Sequence, residues 1–184
     1  ILPETDIYGA FGNSSNVLDS FCDRNQSTLT TAYIPIYVVA VNQAPFVKLS
    51  RSSFTSQVNL DTPIPEFVIE DEDHLELLLR SSLGDEVQPS ITVTMTTLTG
   101  RISLLYKDDI VFINGRGKDD VAMTFTGPFD KVNRVIKYAS YICRVEEGCM
   151  SGYIDKITIL VNDEGFRGKG GALTYSTEIS VEIS

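Results

Sequence analysis

The feature that most constrains this chain is a set of short apolar runs in alternation. Ile91-Thr92-Val93-Thr94-Met95, Ile157-Thr158-Ile159-Leu160-Val161 and Ile179-Ser180-Val181-Glu182-Ile183 place an apolar residue at every second position, mostly with hydroxyl residues between. Successive side chains of a strand leave opposite faces, so a period of two means one packed face and one wet face. Shorter runs recur between turn residues at Phe46–Leu49, Ser56–Leu60, Glu66–Ile69, His74–Arg80, Ile102–Tyr106, Ile110–Ile113 and Val121–Thr126. With Ile91–Thr97, Ile154–Val161 and Leu173–Ile183, they predict an all-β fold, a sandwich or a barrel. One segment departs from the pattern. Phe129, Val132, Val135 and Ile136 follow Pro128 at helical spacing, which predicts one short helix, the alternative being an irregular crossover.

The first 43 residues read differently. Gly9, Gly12 and Asn13 to Asn16 lie in a polar, loop-like stretch, and then Tyr33-Ile34-Pro35-Ile36-Tyr37-Val38-Val39-Ala40-Val41 predicts a strand. Pro35 confines it to an edge or to a strand's start. A segment of about 40 residues buries no core of its own. Residues 1–43 are therefore expected to be the tail end of a preceding repeat, its last strand and linker, or a strand-exchange arm. Residues 44–184 are expected to form the sandwich itself. A start at Ile1 rather than Met fits a processed chain or a segment of a longer one.

Charge narrows the partners. With 15 Lys plus Arg against 25 Asp plus Glu and a formal net charge of -10, the chain has little from which to build a basic patch for nucleic acid or anionic lipid. No run approaches the roughly 20 apolar residues of a membrane span. Cys143 and Cys149 bracket a short polar loop and are expected to form a disulfide, the alternative being two free thiols; Cys22 is then left over. The sequons Asn13-Ser14-Ser15 and Asn25-Gln26-Ser27 make Asn13 and Asn25 candidate glycosylation sites. Sequons and cysteine pair together point to an extracellular or cell-surface location.

Taken in order, Val68-Ile69-Glu70-Asp71-Glu72-Asp73, Leu98-Thr99-Gly100-Arg101-Ile102-Ser103-Leu104, Phe125-Thr126-Gly127, Val132-Asn133-Arg134-Val135-Ile136 and Asp155-Lys156-Ile157-Thr158-Ile159-Leu160-Val161-Asn162-Asp163-Glu164-Gly165 form a succession. From about Ala44 to Ser184 it resembles the cadherin-like repeats of large adhesins and the repeats of chondroitin-sulfate-proteoglycan-type matrix proteins. The resemblance implies an immunoglobulin/cadherin-like antiparallel β-sandwich with one short helix. It also implies a non-catalytic structural or adhesion module of a multi-repeat or filament-forming protein. Val41-Asn42-Gln43-Ala44-Pro45 resembles the linker between such repeats, without its acidic residues.

Calcium is the cofactor such a module could use. Asp71 and Asp73 alternate and so share one face of an extended chain, while Asn162 and Asp163 follow a strand. If the strands ending at Ile69 and Val161 meet at one end of the sandwich, Asp71, Asp73, Asn162 and Asp163 would offer calcium hard oxygen ligands. Asn-Asp-x-Gly is also a common turn, and that reading stays open.

No GxSxG, HExxH or P-loop motif is present, and His74, the only histidine, is expected to be an exposed loop or strand residue. The pairs Asp108-Asp109 and Asp119-Asp120 read as turn formers. An enzyme is not expected. The expected partners are neighbouring repeats or identical subunits, met through strand edges and domain ends. The alternative is a carbohydrate-binding or accessory module of a secreted protein, with glycans as ligands and Tyr106, Tyr141, Tyr153 and Phe166 as candidate platforms.

Overall fold

The alternating runs form the centre of a six-stranded sheet. A computed structural model describes residues 34–74, 89–165 and 168–184, and the chain divides into two compact units, Ile1–Val39 and Ala40–Ser184. The second unit contains β1 (Phe46–Leu49), β2 (Ser53–Ser56), β3 (Thr62–Pro63), β4 (Phe67–Glu70), β5 (Ser90–Thr97), β6 (Arg101–Leu104), β7 (Val111–Asn114) and β8 (Ala122–Pro128). Helix α1 (Phe129–Ile136), β9 (Ala139–Ile142), β10 (Ile154–Asn162) and β11 (Thr174–Ile183) follow. The large sheet runs β2-β11-β10-β5-β8-β7; β3-β9-β6 form a three-stranded sheet and β1-β4 a two-stranded one. All ladders are antiparallel except β2 on β11.

Burial follows the alternation. Ile91, Val93 and Met95 of β5, Met123 and Phe125 of β8, Ile157, Ile159 and Val161 of β10, and Ile179, Val181 and Ile183 of β11 all face inward. Val47, Phe67, Ile69, Ile102, Leu104, Ala139 and Tyr141 meet them from the smaller sheets in one core cluster. The result is the expected all-β sandwich with one short helix. Helix α1 starts after Pro128 and buries the four residues whose spacing predicted it, Phe129, Val132, Val135 and Ile136. Its Asn133 also accepts from the Ile69 N–H at 2.9 Å and donates to the Ile69 carbonyl at 3.0 Å, standing in for a neighbouring strand at the side of β4.

Three expectations are corrected. Ser56–Leu60 is not a strand: β2 lies earlier, at Ser53–Ser56, and the chain turns through Asn59 at a φ of 64°. At His74 a strand was expected, whereas residues 72–74 are helical, because the Asp71 carboxylate accepts the N–H groups of Asp73 and His74 as an N-cap does; residues 75–80 lie outside the described residues. Residues 34–40 form no ladder. The expected strand there shrinks to a single parallel bridge between Val41 and Lys169, since a strand needs a partner backbone and none lies alongside among the described residues. Two strands went unread: β3 is only two residues long, and β9 is a four-residue stretch that follows directly on the helical run ending at Ile136. Cys143 and Cys149 are joined by the expected disulfide. Cys22 lies outside the described residues.

Candidate functional site

Strand β10 carries an acidic group at each end, and the two do different work. At its start Asp155 is completely buried. Its carboxylate accepts from the backbone N–H groups of Leu98 (3.1 Å), Thr99 (3.3 Å), Gly100 (2.7 Å) and Lys156 (2.8 Å), and from the Tyr141 hydroxyl at 2.6 Å. One side chain therefore ties the β5–β6 turn to β10 and to β9. Gly100 is needed there because a Cβ would fall on the Tyr141 ring.

Burial, with the hydrogen bond to Asp155, raises the Tyr141 phenol above its ordinary pKa of 10.0. The unfolded phenol ionises first, so the stability that Tyr141 contributes is complete below about pH 10 and is lost as the pH rises further. The urea midpoint is expected to fall above that pH, and Tyr141→Phe is expected to flatten the fall. An unchanged alkaline slope in the variant would contradict this assignment.

The opposite end of β10 meets the linker. Asn42 and Asp163 are both about 6% exposed. The Asn42 amide donates to Asp163 Oδ2 at 2.7 Å and to the Gly171 carbonyl at 2.8 Å. Asp163 Oδ1 accepts from the N–H groups of Gly165 and Leu173, each at 2.8 Å. The backbone of the β10–β11 loop also holds the linker directly, Lys169 N–H to the Ala40 carbonyl at 2.8 Å and Asn42 N–H to the Lys169 carbonyl at 3.2 Å. Gly168 makes this approach possible: its φ is +82°, and a Cβ there would strike the Asn42 backbone. One residue on, the Gln43 N–H donates to Asp73 Oδ2 at 2.7 Å.

Three of the four residues considered for calcium thus gather at this end. Burial raises the Asp71 carboxyl above its ordinary range, and the charges of Asp73 and Asp163 add to the rise against two backbone N–H donors. Asn162 turns away, its Oδ1 accepting the Glu164 N–H at 2.8 Å. Asp71 Oδ1, Asp73 Oδ2, Asn162 Oδ1 and both oxygens of Asp163 already accept N–H donors, and the linker offers Asp163 an amide NH₂ rather than an oxygen. The sequence placed these acids near one another, but Asn42, which completes the arrangement, went unread as a site residue.

His74 is not exposed, as was expected, but half-buried. Its ring stacks on Phe129, with centroids 4.0 Å apart and 20° between planes, and burial lowers its pKa. Of the candidate sugar platforms, Tyr141 is wholly buried and so offers no face, because the core needs its ring and Asp155 its hydroxyl. Tyr153 is partly buried and its hydroxyl pairs with Thr99 Oγ1 at 2.7 Å. Tyr106 is exposed and lies edge-on to Tyr138, centroids 5.0 Å apart. Asn13, Asn25 and Phe166 lie outside the described residues. The aspartate pairs form turns: Asp109 and Asp119 have φ of 65° and 52°, and Asp120 Oδ2 accepts the N–H groups of Arg116, Gly117 and Lys118.

The class defined by this geometry is an all-β sandwich domain with residues 40–43 hydrogen-bonded to one end. No protein-family model matches the chain, and no curated protein matches it. Among solved structures it is similar to AggA, the major subunit of aggregative adherence fimbriae type I from Escherichia coli, at 12% identity and a TM-score of 0.40, over 79% of this chain and 99% of that one. It is also similar to ACE19, the collagen-binding subdomain of the Enterococcus faecalis surface protein ACE, at 8% identity and a TM-score of 0.26, over 53% of this chain and 79% of that one. Both TM-scores lie below 0.5, so the fold rests on the ladders described above.

Proposed function

We propose that this chain is a non-catalytic extracellular or cell-surface module that acts by joining other sandwiches of its kind, as one unit of a multi-repeat or filament-forming protein. The observation that carries this reading is the run Ile34, Ile36, Tyr37, Val38 and Val39. Each is between 64% and 82% exposed, and together they are rich in strand-forming residues. Isolated apolar residues on a surface need no explanation, but five within six consecutive residues make a segment that gains by being covered. A segment of this kind is suited to adding as a strand to a sheet, where backbone hydrogen bonds supply affinity and alternate side chains supply specificity. The sandwich that receives it is a preceding repeat of the same protein or an identical subunit. The Cys143–Cys149 disulfide suits the oxidising setting of such a protein.

Sedimentation velocity over a wide concentration range tests the reading. The chain is expected to associate as concentration rises, and the double variant I36D/V38D, with charges in the middle of the run, to remain monomeric. Monomers of both at every concentration would overturn the identical subunit as the receiver and leave the preceding repeat, and equal association of both would overturn the role given to the segment.

A further inference from the structure

We infer that Asn42 closes the linker junction with its amide in the place a bridging cation would take, so that this end of the sandwich is set without metal. Three carboxylates, Asp71, Asp73 and Asp163, gather where the linker crosses the end of β10, an arrangement that by charge alone would repel. A linker residue that turned a carboxylate toward Asp163 would add to that repulsion and call for a cation. Asn42 brings two N–H donors instead. Both are used, one on Asp163 Oδ2 at 2.7 Å and one on the Gly171 carbonyl at 2.8 Å, and the first is shielded from water, which strengthens it. Gln43 repeats the device with its backbone N–H on Asp73 Oδ2 at 2.7 Å. The remaining oxygen of Asp163 is taken by Gly165 and Leu173, so the carboxylate is satisfied on both sides by N–H groups.

The clasp holds residues 40–43 by five hydrogen bonds, four of them to the β10–β11 loop (Lys169 N–H to Ala40, Asn42 N–H to Lys169, and the two from the Asn42 amide) and one from Gln43 to Asp73, beyond β4. It lies wholly within the unit Ala40–Ser184 and does not depend on what covers the apolar segment before it. Its failure would therefore leave the proposed assembly standing, and the reverse is also true.

The test is a set of thermal melts of the whole chain, with millimolar calcium and with chelator, on four proteins: the natural chain, N42A, N42D and N42D/D163N. The natural chain is expected to melt at the same temperature in both conditions. N42A is expected to melt lower in both, since a buried carboxylate loses its donor and calcium gains no new ligand. N42D sets a carboxylate against Asp163, so it is expected to melt lowest in chelator and to recover in calcium. N42D/D163N exchanges donor and acceptor while its residue 163 can still accept from Gly165 and Leu173, so it is expected to regain part of the loss without calcium. A natural chain stabilised by calcium would overturn the inference. So would N42D melting with the natural chain in chelator, or failing to recover in calcium while retaining its folded circular-dichroism spectrum.

Discussion

Replacing Asp155 with alanine is expected to lower the unfolding free energy by roughly 4 kcal/mol. The carboxylate is buried and serves the Tyr141 hydroxyl and the N–H groups of Leu98, Thr99, Gly100 and Lys156. Removing it strands the buried Gly100 N–H and Tyr141 hydroxyl and leaves the three part-buried N–H groups to find water, and each buried donor without a partner costs about 1–3 kcal/mol. The sum does not reach its arithmetic maximum, because the turn at Leu98–Gly100 can relax toward water. Natural domains have only about 5–15 kcal/mol in hand, so the variant should be close to unfolded at warm temperatures. Asp155→Asn should lose less: its oxygen still accepts, but its NH₂ faces the Gly100 N–H. Urea unfolding of the two variants beside the natural chain measures both losses. An alanine variant within about 1 kcal/mol of the natural chain would show that the five contacts are not the anchor described.

Gly100→Ala is expected to cost about 2–3 kcal/mol. The cause is space, since the added methyl would lie on the Tyr141 ring and either push the phenol from Asp155 or move the turn; overpacking a filled core costs about 1–3 kcal/mol, and a weakened hydrogen bond adds to it. The mechanism predicts coupling. Tyr141→Ala is strongly destabilising by itself, since it empties a buried ring's place, but Gly100→Ala placed on top of it should add little, because the methyl then meets vacated volume. Full additivity in that double-mutant cycle would contradict the steric account.

The sheets were legible because their signal is local. Ile157, Ile159 and Val161 repeat every second residue, and the same residues are buried in β10. The helix was legible for the same reason, from Phe129, Val132, Val135 and Ile136. The sites were only half legible, because they are made by pairs distant in sequence. Asp155 stood plainly at the head of a strand, yet its partners at Leu98–Gly100 and Tyr141 come from two other strands or turns. Asp71, Asp73 and Asp163 could be brought together by assuming where two strands end, but no local pattern pairs Asn42 with Asp163, 121 residues later, as the donor to it. Val58 and Leu60 show the opposite failure: they alternate as strand residues do, yet Asn59 sits at a positive φ that belongs to a turn.

The central claim is that a sandwich with a fixed linker presents an apolar segment for another sandwich to cover. Amide hydrogen exchange, read residue by residue at low and high protein concentration, tests it most directly. The account predicts that the Asn42, Gln43 and Lys169 amides are slow at every concentration, while those of Ile34, Ile36, Tyr37, Val38 and Val39 exchange freely when dilute and become protected as the chain associates. A segment that exchanges freely at all concentrations, or protection that rises equally in I36D/V38D, would contradict it.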